Sequence, residues 1–161
     1  PKHVDIENMS NIFSVERSYD TDIITLFHAT GDFRYRHRWQ EGVTSVEEFN
    51  HFLPRIGMKC RCVTNAGTII VYASGYSYSD DKIQFIETDE KKNTCTRYTL
   101  DKIGPKKTRL TLDFYLEQNV PAQFIFSLTG KKKKMERAFQ SSLQNLETVV
   151  KDLRIPSAVG N

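Results

Sequence analysis

Cys60 and Cys62 stand two positions apart in Met58–Thr64, a stretch that reads as extended chain. On a strand that spacing puts both thiols on one face. Cys95 is the third and last cysteine and could sit on a neighbouring strand. Three thiolates with a histidine would make a tetrahedral zinc site. Packed thiols, among the most buried of side chains, are the simpler reading, and no metal is expected. His3, His28, His37 and His51 are scattered, with no HExxH pair to hold a metal on a helix. There is no GxSxG elbow, P-loop or Rossmann glycine run. No catalytic set and no cofactor emerge, so the reading leans away from an enzyme.

Aromatic residues are the other chemistry-bearing group. Tyr72, Tyr76 and Tyr78 share a parity on one presumed strand, and Tyr98 and Tyr115 fall on others. Either they are strand-favouring residues whose hydroxyls reach water at a rim, or several converge in an apolar pocket and orient a ligand. Asp113 and Glu117 share a parity with Tyr115. Asp113 could act as a general base only from inside such a pocket, and its apolar neighbours place it on the outer face. Phe33, Tyr35 and Trp39 interleave with Arg34, Arg36 and Arg38. On an extended segment that alternation sends the rings inward and the arginines outward, and nucleic acid is not expected.

These residues need elements to hold them. Ile12–Tyr19 reads as a first strand, and Asp20-Thr21-Asp22 offers caps for a short helix over about 21–30, ended by Gly31. From Met58 the chain becomes a run of short strands: Met58–Thr64, the turn Asn65-Ala66-Gly67, Thr68–Tyr78, Lys82–Thr88, Thr94–Lys102 and Arg109–Glu117. The last alternates most cleanly, with Leu110, Leu112, Phe114 and Leu116 on one face. Strands joined by short turns pair antiparallel, as a meander. Met135, Ala138, Phe139, Ser142, Leu143, Leu146, Val149, Val150 and Leu153 then recur at three- and four-residue steps. They form the apolar stripe of a long helix, expected to begin near Pro121, with Gly130 as a kink or break. A one-sided helix of that length needs a sheet to cover, the α+β layer arrangement.

The totals fit this picture. The chain has 161 residues and a net charge of +3, with 39% hydrophobic and 27% charged residues. It suits one domain over 12–155, with a polar lead-in at 1–11 and a tail at 156–161. No apolar run approaches the roughly 20 residues of a membrane span. Few cysteines and no secretory pattern at the start point to the cytoplasm. Lys131–Lys134 is the densest basic run, able to make weak contact with an acidic surface.

The order strand, short helix, antiparallel meander and long C-terminal helix resembles the helix-grip fold of the START, birch-pollen-allergen and polyketide cyclase/dehydrase-like superfamily (SRPBCC). Trp39-Gln40-Glu41-Gly42-Val43, followed by Arg55-Ile56-Gly57-Met58, is similar to a passage of the bacterial cyclase/dehydrase-like members, and Met135–Leu153 resembles their closing helix. The resemblance covers residues 12 to 155 and implies a curved sheet wrapped on the helix, with a cavity between them. Its partner would be a small hydrophobic ligand such as a lipid or polyketide-like molecule. Expected ligand contacts are Trp39, Tyr72, Tyr76, Tyr98, Phe114, Phe124, Ile125 and Leu128, with most room under the stretch before Gly130. The alternatives are a non-enzymatic interaction domain with a filled core, or a cyclase/dehydratase-like enzyme. The family has no universal catalytic residue to carry over.

Overall fold

The computed structural model describes residues 5–48, 59–90, 94–117, 121, 124 and 129–154. After a single 3-10 turn, β1 (Met9–Tyr19) leads into α1 (Ile23–Gly31), a second 3-10 turn (Phe33–Tyr35) and α2 (Arg36–Trp39). Six strands follow: β2 (Val43–Glu48), β3 (Lys59–Thr64), β4 (Gly67–Tyr78), β5 (Lys82–Asp89), β6 (Thr94–Gly104) and β7 (Lys107–Glu117). The C-terminal helix is α3 (Lys131–Arg154). The strands make one seven-stranded antiparallel sheet in the order β1-β7-β6-β5-β4-β3-β2. The first strand therefore closes onto the last, and the rest form the expected meander.

One sheet face meets α3. Leu110, Leu112 and Phe114 of β7 lie beside Leu100, Tyr98 and Thr96 of β6, and Phe85 pairs with Tyr98 from β5. Leu143, Leu146, Val149 and Val150 bury against this surface together with Leu26 and Phe27 of α1. Hydrophobic burial drives this packing, worth about 1.5–3 kcal/mol for each fully buried large apolar side chain. Polar clips fix the angle of the helix. The Tyr19 hydroxyl donates to the Leu143 carbonyl, and Arg17 pairs with Glu147 at 2.7 Å. The Glu41 amide donates to Ser142 Oγ at 2.8 Å, which donates in turn to the Ala138 carbonyl.

The short helices are set by their caps. Asp22 precedes α1 and accepts from both the amide and the hydroxyl of Thr25, each at 2.8 Å. Asp32 ends α1 and opens the next turn, accepting from the Arg34 amide at 2.9 Å.

Two expectations are corrected and a third is borne out in part. Residues 33–39 are helical rather than extended, so their burial follows a three-residue step, and Phe33, Arg36 and Trp39 all point inward. The expected break falls at Gly130, which takes a φ of 72°, open to glycine at little cost, and whose carbonyl accepts the Lys134 amide: Pro121 and Phe124 are helical, but α3 itself starts only at Lys131. The four lysines thus occupy the first turn, at the positive end of the helix dipole. Finally, β4 carries a bulge between Ala73 and Gly75. Ser74 is the extra residue, and it reverses the parity of everything beyond it.

Candidate functional site

The bulge separates the tyrosines. Tyr76 pairs with Phe85 and Ala73 with Glu87, which places them on the face toward α3. Tyr72 pairs with Thr88 and points to the opposite face. The same register sets the cysteines apart. Cys60 and Cys62 pair with Val71 and Ile69 on the helix side. Cys95 pairs with Thr88 and packs on the other face with Met9 and Tyr115. The three thiols do not converge, and among the described residues no group of three or more His, Cys, Asp or Glu is placed to hold a metal ion. Asp113 also faces away from α3, bound to Ser14 and to Arg97 at 3.2 Å, where it cannot serve as a base inside a pocket.

Arg36 is the feature that the linear reading missed. Its guanidinium reaches from α2 to the sheet and meets Glu87 of β5 in a two-pronged pair, Nη1–Oε1 and Nη2–Oε2 both 2.7 Å. The two side chains are 1% and 5% exposed. Nη2 also donates to the Thr30 carbonyl at 3.0 Å, and Nη1 to Gln40 Oε1 at 3.3 Å. The guanidinium carbon lies 4.8 Å from the Phe33 ring centroid, 4.9 Å from Trp39 and 5.7 Å from Tyr98. Such cation–π contacts strengthen when desolvated. A signal for it existed: Phe33, Arg36 and Trp39 recur at helical spacing, with Asp32 as a cap.

Around this pair the electrostatics are strongly tilted. Burial works against the charge of Arg36, but the carboxylate of Glu87 more than offsets it and holds the guanidinium cationic. Burial raises the Tyr98 hydroxyl far above its ordinary range; the nearby Arg36 charge works the other way, and a hydrogen bond with Glu87 adds to the rise. Cys60 and Cys62 lie with sulfurs 3.9 Å apart. The hydrogen bond between them, together with burial, pushes the Cys60 thiol up. The same bond pulls Cys62 down, helped by the charge of Arg36.

Two donors in this cluster have no acceptor. Arg36 Nε and Trp39 Nε1 are buried and unpartnered. Leaving a buried N–H unmade costs about 1–3 kcal/mol. A filled core would ordinarily remove that cost with apolar residues.

Of the expected ligand contacts, the structure brings Trp39 and Tyr98 together, edge to face with ring centroids 6.5 Å apart. Phe114 belongs to a separate aromatic group with Phe13 and Phe139 on the same face. Tyr76 lies at the far end near Phe27 and is 42% exposed. Phe124 is 64% exposed. Ile125 and Leu128, like His3, His51 and Arg55–Met58, lie outside the described residues.

No family profile and no curated protein matches the chain. Its fold is shared with solved structures. A START superfamily protein from Mycobacterium smegmatis aligns with a TM-score of 0.67 at 16% identity, covering 88% of this chain and 97% of that one. The KanY protein aligns with a TM-score of 0.69 at 12% identity, covering 89% and 98%. A hypothetical protein of Helicobacter pylori aligns with a TM-score of 0.68 at 12% identity, covering 84% of each. Identities this low speak to the fold alone. No helix among the described residues is long and apolar enough to cross a membrane. The seven-stranded antiparallel sheet with a long C-terminal helix is the helix-grip fold, which this chain shares with that START superfamily protein.

Proposed function

We propose that the chain binds a small apolar molecule bearing an oxygen acceptor, seated between the sheet and α3 with its polar end at Arg36 and Trp39. A lipid or polyketide-like molecule in the cytoplasm fits this class. The observation that carries the reading is the buried Arg36–Glu87 pair with its two unpartnered donors. Buried ion pairs rarely stabilise a protein more than apolar residues of the same volume would, so one flanked by orphaned N–H groups fits recognition of a polar group better than structural support. Apolar sites typically orient their ligands with a few such groups. The likeness in fold to a START superfamily protein supports the placement by analogy.

The experiment is native mass spectrometry of gently purified protein, combined with displacement of a fluorescent fatty acid. A co-purified small molecule, or displacement by apolar acids that is lost in R36M/E87L, supports the reading. A protein that carries no small molecule and displaces no probe contradicts it.

A second reading has its own support. Under the C-terminal half of α3, Leu143, Leu146, Val149 and Val150 share one buried apolar cluster with Leu100 and Leu110, as they would in an interaction domain with a filled core. It predicts no apolar ligand at all, so the same measurement separates the two.

A further inference from the structure

The Cys60–Cys62 pair plays no part in the ligand reading and has a geometry of its own. Both thiols are fully buried on the helix-facing side of β3, and their sulfurs stand 3.9 Å apart. Phe33, Val43, Val46 and Ile69 pack around them. We propose that these two thiols form a two-coordinate site for a soft monovalent cation of the copper(I) class.

Three observations lead there. The first is span. With metal–sulfur bonds of about 2.3 Å, two sulfurs sharing one ion can stand up to about 4.6 Å apart. The observed 3.9 Å falls within that reach, so an ion can bridge them through small side-chain rotations. The second is ligand number. Zinc asks for four donors, or three with an open position. Here Cys95 lies on the other sheet face, and among the described residues no third His, Cys, Asp or Glu joins the pair. Two thiolates without further donors suit a soft monovalent ion, because thiolate ligands select copper(I) over harder cations. The third is the surround. The packed neighbours Phe33, Val43, Val46 and Ile69 are apolar and bring no oxygen ligand of their own, which disfavours a harder ion. The strand that covers the pair, β2, is a short edge strand paired only with β3 among the described residues, so local opening of that edge would admit an ion.

The site is independent of the ligand reading, since it uses neither Arg36 nor Trp39 as a contact. The test loads the reduced, full chain anaerobically with copper(I) and challenges it with a copper(I)-selective chelator. One equivalent retained per chain is expected, lost in C60S and in C62S and kept in C95S. No retained copper in the parent chain, or retention unchanged in C60S and C62S, overturns the proposal. Because a serine in this packed cluster can weaken folding, X-ray absorption of the copper-loaded parent chain gives a second readout. Two sulfur neighbours are expected; a shell of nitrogen or oxygen, or of three or more sulfurs, overturns it.

Discussion

Arg36 and Glu87 are 51 residues apart in the chain and meet through two hydrogen bonds of 2.7 Å inside the protein. One comes from a four-residue helix and the other from a central strand. The pair therefore ties α2 to the sheet from within, beneath the rings of Phe33, Trp39 and Tyr98. Its cost and its use can be separated by mutation.

Removing one partner strands the other as an uncompensated buried charge. R36M or E87L alone is expected to destabilise the protein by about 3–5 kcal/mol. The double variant R36M/E87L is expected to recover most of that loss, because an apolar pair of similar volume is often neutral or better. Urea denaturation of the three variants reads this directly. A double variant no more stable than the singles would show that the pair is structural.

Leu146 is fully buried on the inner stripe of α3. L146A is expected to cost about 2–5 kcal/mol through lost burial and the cavity left behind. A loss under 1 kcal/mol would mean that α3 is not packed on the sheet at this point.

That helix was the most legible part of the chain, and the physics says why. Its stripe from Met135 to Leu153 has one period and one partner surface, so sequence pattern and tertiary packing agree. The same holds for Leu110, Leu112, Phe114 and Leu116 on β7, and for Asp113 on its outer face. The site was less legible because two local events overrode simple alternation. An extra residue, Ser74, turned Tyr72 to the opposite face from Tyr76. A capped helical turn after Asp32 sent Arg36 inward, where alternation on an extended segment would have sent it to solvent. Neither event alters composition or hydropathy, and only the second leaves a readable spacing.

Burial also makes four of the seven tyrosines resist ionisation, Tyr19 and Tyr98 most strongly and Tyr72 and Tyr76 less so. Tyr19 and Tyr98 both have their hydroxyls raised well above the ordinary value of 10.0, chiefly by burial. The unfolded chain loses these protons near pH 10 while the folded protein keeps them, so their linkage favours folding less as pH rises above about 10. Below that value their contribution is complete. Phenolate absorbance during an alkaline titration should show Tyr19 and Tyr98 ionising last, only with unfolding, and Y98F should remove one of them. Early, reversible ionisation of all seven would contradict the buried hydroxyls.

At the acid end the sign is opposite. Burial alone would raise the Asp22 carboxyl, but hydrogen bonds from the amide and hydroxyl of Thr25 hold it below 3.8. Its folded value is depressed, so its contribution is present above the unfolded value and is lost as pH falls through the folded one. D22A is expected to cost about 0.5–2 kcal/mol at neutral pH, the usual worth of such a cap, and less in acid, once the folded carboxyl is protonated. Denaturation midpoints of D22A and the parent chain at neutral and acid pH test this; an equal gap at both would contradict it.

Trp39 is the only tryptophan in the chain, and its indole N–H is one of the two unpartnered donors. Its fluorescence during titration with apolar acids of increasing chain length is therefore the most direct measurement of the central claim. Binding between sheet and helix predicts a saturable shift in Trp39 emission, reproduced in C95S and abolished in R36M/E87L. Emission that stays constant at every ligand concentration, in a protein shown to be folded, would contradict it.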